Sequence, residues 1–428
     1  MNRRPIEPIA HPIDADVEVP GSKSLTNRAL VLAALAEGTS TLSGALVADD
    51  TEAMAGALRT LGAMIDLDPV ESRVEGFGPR PGPGPATIDA RLSGTTSRFV
   101  LPLLALGEGP YRLDGRPPLR ERPMGPSFAA LRDLGARVEE VGRPGHLPVE
   151  VGGPLDGGRV VVDGSTSSQF TSGLLLAAPR MTGGLVVEVV GAVVARPFLD
   201  MTVAVLGQFG ADATVEGDRR FRVAEGGLAA RDLRIEPDAS AASYFFAAAL
   251  ICGGEARVDG LGTSSLQGDA RIVEVLAGMG AEIEQTTTST MVRSTGELRG
   301  VDVDMAAMPD MAQTIAALAV FADGPTRIRG VEVIRRHETD RIHAVVTELA
   351  RCGIEAEEHD DGFTVHPGPP SPATIETYDD HRMAMSFSLL GLGSAGIEIA
   401  DPDCVAKTFP DFFEQLDRLR MPADRARG

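Results

Sequence analysis

The sequence predicts an α/β protein made of six similar repeats, three in each of two pseudo-threefold domains. One observation is a recurring segment: small polar or acidic residues open an apolar helix pattern, and a short β-type stretch ends it at Gly or Asp. A second is the spacing, because matched positions recur every 70 to 73 residues. The third is a helix that ends at a glycine before a strand. A period of about 70 residues exceeds that of ordinary solenoid repeats, so each repeat is a larger βα unit.

Each repeat is predicted to contain a helix, a strand, a second helix and one or two further strands. The matched positions are Arg28, Arg98, Gln169, Ala242, Gln313 and Ala384. The first helices are expected to open near Ser22, Ser93, Ser165, Asp238, Asp310 and Asp380. The second helices are expected to end at Gly62, Gly135, Gly210, Gly280 and Gly353. The Pro- and Gly-rich stretch 79–90 is a linker within the first repeat, and the domain boundary is expected at 234–240, halfway along the six repeats.

Composition narrows the class of protein. The 428 residues are 43% hydrophobic, and no uninterrupted apolar run is long enough to span a membrane. The first 13 residues lack the apolar core and cleavage site of an export signal. Three widely separated cysteines fit a reducing compartment, so we expect a cytoplasmic protein. The net charge of −21 disfavours nucleic acid as a partner, and an anionic substrate would therefore need a local cluster of positive groups.

The first helix of every repeat opens with residues that can cap it. Helix N-termini carry unpaired N–H groups and the positive end of the helix dipole, so they attract phosphates and carboxylates. In several repeats the same openings also carry Lys, Arg, His or amide side chains. Capping alone would account for any single opening. Capping residues at all six openings, with charged or amide side chains added at several of them, favour an anion-binding site.

Lysine is nearly absent from this chain. Only Lys23 and Lys407 occur among the 40 basic residues, so arginine occupies every other basic position. An ammonium is a compact point charge, whereas a guanidinium is a flat fork, and a site that needs the compact ion would keep lysine. Compositional accident is the alternative. The stretch GSKS lacks the full phosphate-loop pattern, which disfavours nucleoside triphosphate binding.

Two stretches concentrate acids and cations. RRHETDRI covers 335–342, and YDDHRMAM covers 378–385 at a predicted helix start. Asp310 adds an acid at the fifth helix start. These groups could be solvated ion pairs at helix ends; beside an anion-binding cleft they become candidates for proton transfer.

Eight stretches occur in a fixed order between residues 19 and 413. They are PGSKS with NRAL, GTTSR, ERPMG, SSQF, PDASAASYF, ETDR, DHRMAM and AKTFPDF. Together they resemble the 5-enolpyruvylshikimate-3-phosphate synthases. The resemblance implies the enolpyruvyl transferase fold, with two inside-out α/β barrel domains that each contain three βαβαββ-type repeats. It assigns 22–236 to the first domain, and 1–21 with 237–428 to the second.

The resemblance also implies an activity, the transfer of the enolpyruvyl group of phosphoenolpyruvate to the 5-hydroxyl of shikimate 3-phosphate. This reaction is a step of the shikimate pathway, which leads to chorismate and the aromatic amino acids. Its implied catalytic residues are Lys23, Asp310 and Glu338. Its implied phosphoenolpyruvate-binding residues are Lys23, Gly94, Arg122, Gln169, Arg341, Arg382 and Lys407. Its implied shikimate-3-phosphate-binding residues are Ser24, Arg28, Ser167, Ser168, Gln169, Asp310 and His337. It implies a monomer that needs no metal or organic cofactor, has no nucleic acid or membrane partner, and closes its domains on the substrates.

Four positions depart from the commonest family pattern, all on the acceptor side: Ala195 for Ser, Phe198 for Tyr, Val333 for Asn and His337 for Lys. A relative acting on another hydroxylated acceptor is therefore one alternative. The related peptidoglycan transferase uses a loop cysteine, which 109–125 lacks. RNA 3'-phosphate cyclases would need a basic surface that the net charge disfavours. A non-catalytic repeat scaffold would leave the charged helix openings unexplained.

Overall fold

The computed structural model describes residues 2–421 and divides them into two compact units. The first unit is Gly21–Ile235, and the second joins the residues up to Pro20 with those from Glu236 onward. Helices alternate with small mixed sheets in both units, so the predicted α/β class is confirmed. None of the helices within 2–421 is both long and apolar enough to cross a bilayer.

The helices of the first unit are α1 (Lys23–Leu35), α2 (Asp49–Thr60), α3 (Gly94–Ala105), α4 (Pro117–Arg120), α5 (Gly125–Asp133), α6 (Ser168–Ala177) and α7 (Pro197–Gln208). Those of the second unit are α8 (Ala239–Cys252), α9 (Ile272–Gly278), α10 (Ala312–Ala319), α11 (Arg341–Arg351), α12 (His381–Gly393) and α13 (Phe412–Arg418). Short 3₁₀ turns separate several of them.

The strands are, in chain order, β1 (Arg3–Ile6), β2 (Ile13–Asp16), β3 (Thr39–Ser43), β4 (Met64–Asp66), β5 (Glu71–Glu75), β6 (Ala86–Asp89), β7 (Tyr111–Asp114), β8 (Arg137–Glu140), β9 (Val149–Gly152), β10 (Asp156–Asp163), β11 (Thr182–Val190), β12 (Ala213–Glu216), β13 (Arg220–Val223), β14 (Asp232–Arg234), β15 (Gly254–Asp259), β16 (Glu282–Gln285), β17 (Ser289–Arg293), β18 (Asp302–Asp304), β19 (Thr326–Arg329), β20 (Ala356–His359), β21 (Gly362–Val365), β22 (Ala373–Ile375) and β23 (Ile397–Ala400).

One sheet pattern recurs along the chain. In the sheet β10-β11-β13-β12, the first pair is parallel and the other two pairs are antiparallel. Helix α6 connects the parallel strands, and α7 leads from β11 to β12. The sheets β6-β7-β9-β8 and β18-β19-β21-β20 have the same order. These three repeats therefore have the order β, α, β, α, β, β.

The remaining sheets take a strand from a distant part of the chain. In the first unit, β14 closes the sheet of the first repeat by pairing in parallel with β3. In the second unit, β2 pairs in parallel with β15, and β1 pairs antiparallel with β23. The N-terminal segment thus supplies two strands to the second unit.

The first helix of each repeat forms the core of its unit. Helix α8 is the clearest case, because twelve of its fourteen residues are buried and small or apolar side chains predominate in its sequence ASAASYFFAAALIC. The second helices end at glycines with positive φ, as at Gly62 (110°) and Gly280 (103°). A left-handed residue ends a helix at little cost only when it is glycine.

Side-chain caps open five of these six core helices. The caps are Ser22, Ser93, Ser167, Asp238 and Asp380. Ser165, the expected opening of the third helix, lies outside it, because Ser167 accepts the hydrogen bond from Gln169 N. Asp310 does not cap the fifth helix: it lies in a 3₁₀ turn, Pro309–Met311, and α10 begins at Ala312. Its carboxylate is therefore available for other partners.

Candidate active site

Lys23 lies at the start of α1 in the first unit. Its Nζ is 3.4 Å from Oδ2 of Asp50, and the two side chains are only 17% and 6% exposed. Asp50 belongs to the acidic first turn of α2, where a carboxylate is favoured by the helix dipole. An ammonium held beside one carboxylate at a helix start can also bind an anion.

Arg28 is buried one turn further along α1. Its guanidinium donates to Thr202 Oγ1 (2.9 Å), to the carbonyl oxygens of Ser24 (2.9 Å) and Phe198 (3.0 Å), and to Ser172 Oγ at 3.4 Å. All of these acceptors are neutral, and the ion pairs among residues 2–421 include none for Arg28. Burial lowers the pKa of Arg28 to about 9. A buried cation without a carboxylate partner favours the binding of an anion.

Two guanidinium groups meet above Gly94, the first residue of α3. A Cβ at this position would lie 2.9 Å from Arg122 Nη1 and 3.2 Å from Arg98 Nη1. Arg98 also donates to Gln169 Oε1 at 2.6 Å, and Gln169 Nε2 is 3.3 Å from Thr95 Oγ1. Glycine therefore lets two cations and a carboxamide approach the same helix start.

The predicted serines occupy the openings of α1 and α6. Ser167 caps α6, and Ser168, its first residue, is 7% exposed. Ser24 lies in the first turn of α1, where its carbonyl oxygen contacts Arg28. Within the first unit, the structure thus brings Ser24 to Arg28, and Gly94 to Arg122.

Arg341 is the centre of a second cluster, in the second unit. It is 2% exposed at the side chain and donates to both oxygens of Asp380, at 2.7 and 3.2 Å. It also donates to Asp310 Oδ1 at 2.8 Å and Glu338 Oε2 at 2.9 Å. These carboxylates outweigh the effect of burial and raise the pKa of Arg341. One guanidinium therefore holds both predicted proton-transfer carboxylates.

Asp310 is shared by two arginines. Besides Arg341, it accepts from Arg382 Nη2 at 3.1 Å, and His337 Nδ1 lies 3.4 Å away. Burial opposes ionisation, but the charge of Arg382, the hydrogen bond of His337 and the charge of Arg341 hold the pKa of Asp310 well below its usual range. Asp310 is an ionised carboxylate at neutral pH.

Glu338 links the same arginine to the second lysine. Lys407 Nζ donates to Glu338 Oε1 at 2.8 Å, while the other oxygen of Glu338 binds Arg341. Lys407 ends the 3₁₀ segment Pro402–Lys407 and is 11% exposed. Lys407 and Glu338, which the sequence analysis singled out in two distant stretches, are thus in direct contact.

A strained turn places Asp380 at the start of α12. Tyr378 and Asp379 both have positive φ, 57° and 55°, which is costly for residues other than glycine. Glu348, fully buried on α11, secures the turn by accepting from Tyr378 Oη at 2.7 Å and from Glu376 N at 3.0 Å. The turn therefore positions the carboxylate of Asp380 within hydrogen-bond distance of Arg341.

The four departures from the family pattern lie in both units. Phe198 contributes its carbonyl oxygen to Arg28, and its ring lies 6.0 Å from that guanidinium. Ala195 precedes it with φ of 49°. His337 contacts Arg341 Nη1 at 3.1 Å. Val333 is half-buried in the 3₁₀ segment Glu332–Arg336.

Several polar residues of these clusters were not singled out by sequence reasoning. They are Asp50, Ser172, Thr202, Ser240, Asp269 and Glu348. For Asp50 a signal was present, the acidic run ADDTE at a helix start. Ser240 lies within the stretch PDASAASYF, but nothing in that stretch marks this serine as a site residue. The others are single polar residues without a motif, and only the packing of distant segments brings them to the arginines. No group of three or more His, Cys, Asp or Glu side chains in residues 2–421 could hold a metal ion.

The fold and the two clusters are typical of an α/β enzyme that binds anionic substrates and transfers protons. Each unit presents cations at helix starts, and the second unit adds two carboxylates that share one arginine.

Comparison with known proteins identifies the family. The EPSP synthase model, described as 3-phosphoshikimate 1-carboxyvinyltransferase, matches residues 8–416. The 3-phosphoshikimate 1-carboxyvinyltransferase of Nostoc punctiforme is 46% identical over 424 residues, which cover 98% of this chain and 99% of the relative. That of Trichormus variabilis is 44% identical over 423 residues, with the same coverage. A solved EPSP synthase from Acinetobacter baumannii is 27% identical, superposes with a TM-score of 0.83 and covers 98% of both chains. The chain belongs to the EPSP synthase family.

Proposed function

We propose that this protein transfers the enolpyruvyl group of phosphoenolpyruvate to the 5-hydroxyl of shikimate 3-phosphate and releases phosphate. The observation that carries the proposal is the pair of carboxylates, Asp310 and Glu338, bound by the single guanidinium of Arg341. The reaction needs one group that accepts a proton from a hydroxyl and another that gives a proton to carbon. Family membership supports the same reaction.

We assign five cations to phosphoenolpyruvate. Arg341 and Arg382 offer forked donors to its carboxylate, a task suited to guanidinium geometry. Lys23, Arg122 and Lys407 neutralise its phosphate, and Gln169 donates its amide to the ligand. Gly94 leaves room for the phosphate beside Arg122. Lys407 would exchange its contact with Glu338 for one with the ligand.

We assign seven residues to shikimate 3-phosphate. Arg28 and Ser24 hold its carboxylate, because Arg28 is a buried cation with only neutral acceptors. Ser167 and Ser168, at the start of α6, donate to its phosphate, and Gln169 contacts both substrates. Asp310 receives the 5-hydroxyl, and His337 supports the phosphate.

Addition forms the first intermediate. Asp310 takes the proton of the 5-hydroxyl while the hydroxyl oxygen bonds to C2 of phosphoenolpyruvate. Glu338, which takes up a proton from solvent when Lys407 and Arg341 turn to the substrate, gives that proton to the methylene carbon C3. The arrival of a carboxylate at Arg341 and Arg382 reduces the positive charge that Asp310 experiences. Its pKa then rises from the strongly lowered value of the free enzyme, which makes Asp310 a better base when substrate is bound.

Elimination completes the reaction. The tetrahedral ketal loses one proton from C3, which Glu338 takes back, and the bond from C2 to the phosphate oxygen breaks. The double bond re-forms between C2 and C3, and phosphate leaves with the proton that came from the hydroxyl. Lys23 and Lys407 stabilise the charge that develops on the leaving phosphate.

Phosphate release from phosphoenolpyruvate and shikimate 3-phosphate tests the proposal. We expect turnover with both substrates, no release when either is omitted, and a product that carries the enolpyruvyl group at the 5-hydroxyl. Shikimate without its phosphate serves as the matched acceptor. Turnover with another hydroxylated carboxylate, but not with shikimate 3-phosphate, would identify a relative with a different acceptor.

Gly94→Ala is expected to raise the KM for phosphoenolpyruvate about 10- to 100-fold, with a smaller effect on the KM for shikimate 3-phosphate. The new Cβ would lie 2.9 Å from Arg122 Nη1, so the guanidinium must move by several tenths of an ångström. Gly207→Ala in α7 is the matched control, because its Cβ would meet nothing within 4 Å. Equal KM values for the two variants would show that Arg122 does not bind this substrate.

The proposal extends to the domain organisation, oligomeric state and cellular compartment of the enzyme. We take the first and second units as the two three-repeat domains of the family fold, and the protein as a cytoplasmic monomer. The thiols of Cys252, Cys352 and Cys404 are free, in keeping with a reducing compartment. Sedimentation at enzyme concentrations used for assay measures the oligomeric state.

A further inference from the structure

Asp269 is a buried carboxylic acid beside the arginine cluster of the second unit. It lies in a 3₁₀ turn, Gly268–Arg271, and is 7% exposed. Its Oδ2 accepts a hydrogen bond from Ser240 Oγ at 3.0 Å, while its buried Oδ1 has no hydrogen-bond partner. A carboxylate that gives up water on both oxygens and gains one hydrogen bond is unfavourable in the ionised form.

Ser240 connects this acid to Arg382. Nη2 of Arg382 is 3.3 Å from Ser240 Oγ and 3.1 Å from Asp310 Oδ2. Ser240 lies in the first turn of α8, where its backbone N–H is held by the cap Asp238. A single hydroxyl thus joins a buried acid to the guanidinium that we assign to the phosphoenolpyruvate carboxylate.

The charges around Asp269 come from three other elements. Burial and the negative charge of Asp310 raise the pKa of Asp269 to about 7, against the opposing charge of Arg382, and Asp238 adds to the rise. Asp310 belongs to the turn before α10, Arg382 to α12 and Asp238 to the start of α8. Asp269 can therefore gain or lose a proton near neutral pH.

The protonation state of Asp269 decides what Ser240 can do. When Asp269 is ionised it can only accept, so the hydroxyl hydrogen of Ser240 points to it and away from Arg382. When Asp269 is protonated, it donates to Ser240 Oγ, and the hydroxyl hydrogen of Ser240 becomes available for an anion beside Arg382.

The net charge of the surrounding groups also favours protonation of Asp269 when an anion binds. Arg341, Arg382 and Lys407 face Asp310, Glu338 and Asp380, so these six groups are neutral together. An incoming carboxylate makes the set negative, and an ionised Asp269 would add to the repulsion. Binding of the anion therefore favours the neutral form of Asp269.

We propose that Asp269 and Ser240 form a proton-linked part of the carboxylate site: Asp269 takes up a proton when an anionic substrate binds to Arg382, and Ser240 then donates to that anion. The proposal rests on the proposed function, since it extends the site for the phosphoenolpyruvate carboxylate. Asp269 is a positioning residue that acts through Ser240, and it takes no part in bond making or breaking.

The pH dependence of substrate affinity tests the proposal. Above pH 7, Asp269 must be protonated at a cost before the anion binds, so the KM for phosphoenolpyruvate should rise up to about 10-fold per pH unit. Asp269→Asn is permanently neutral, and its amide can donate to Ser240. We expect this variant to keep a low KM up to pH 8.5, at saturating shikimate 3-phosphate. Because the substrates titrate too, the difference between the two proteins is the measured quantity.

Matched variants separate this role from a structural one. Asp259→Asn changes an aspartate of the same unit that is 76% exposed, and should reproduce the unmodified protein. Ser240→Ala should raise the KM at every pH, and Ser240→Thr, which keeps the hydroxyl, should restore it. Infrared difference spectra of the unmodified protein between pH 6 and 8.5 should contain a protonated carboxyl band that Asp269→Asn lacks.

The outcomes distinguish this proposal from the proposed function. If the unmodified protein releases no phosphate at any pH, the assignment of substrates is wrong. If it is active but Asp269→Asn follows the same KM profile against pH, the proton-linked role of Asp269 is overturned. A uniform rise in KM for Asp269→Asn at every pH would also overturn it, because that result indicates loss of local structure alone. Should Asp269→Asn fail to fold, the KM values of Ser240→Ala and Ser240→Thr and the infrared titration test the proposal instead. The proposal is overturned if neither Ser240 variant changes the KM or if no carboxyl band titrates between pH 6 and 8.5.

Discussion

Asp310→Asn is expected to lower kcat by about 100- to 10,000-fold, the usual contribution of a positioned general base. The amide occupies the same volume but cannot take the proton of the acceptor hydroxyl. Arg341 and Arg382 lose one carboxylate partner each, so they should hold the substrate carboxylate at least as firmly. The KM for phosphoenolpyruvate should therefore not rise. Steady-state kinetics with both substrates varied would separate the two effects.

Asp302→Asn is the matched control, because Asp302 is 64% exposed and pairs with Arg329 on the surface of the same unit. It should leave kcat unchanged. Glu338→Gln should resemble Asp310→Asn if the two carboxylates divide the proton transfers. A rise in KM without a fall in kcat for Asp310→Asn would make Asp310 a binding residue and remove it from the chemistry.

The second large effect is expected where arginine replaces lysine. Lys23→Arg and Lys407→Arg should each lower kcat/KM about 100-fold, although the charge is kept. Both ammonium groups are mostly buried, next to Asp50 and Glu338. The larger, forked guanidinium is expected to displace the bound phosphate by about 1 Å. The measurement is phosphate release at subsaturating phosphoenolpyruvate.

Arg299→Lys, the reverse exchange at a side chain that is 62% exposed, is the control and should be neutral. Near-normal turnover in both lysine variants would mean that the scarcity of lysine in this chain is an accident of composition. A loss in only one of them would identify which ammonium contacts the leaving phosphate.

The repeated architecture could be read from the sequence because its signals are local. A cap, an apolar helix and a terminal glycine are set by neighbouring residues, and helices opening at Lys23 and Gly94 match the predicted register. The fifth opening was wrong in detail for a local reason as well. Asp310 follows Pro309, and the chain forms a 3₁₀ turn before α10 begins.

The partners of the site residues could not be read in the same way. The contacts of Arg28 with Thr202 and Ser172 join residues 174 and 144 positions apart. Asp269 resembles an ordinary polar residue in the sequence, and its pKa is raised by burial and by the charge of Asp310, neither of which the sequence shows. Burial depends on how distant segments pack, so the sequence predicts which residue types are charged but not which of them lose water.

The pairing of β1 with β23 has a consequence for the order in which the chain can fold during synthesis. Arg3 lies opposite Ala400, so the first strand has no partner until almost the whole chain has been made. At about 5 to 20 residues per second, that wait lasts on the order of 20 to 80 seconds. The first unit, by contrast, holds its closing strand β14 at its own C-terminal end. The first unit can therefore fold on the ribosome while Arg3–Ile6 is still an unpaired strand. Unpaired strands are prone to aggregate, so we expect a chaperone to be needed most at this N-terminal segment.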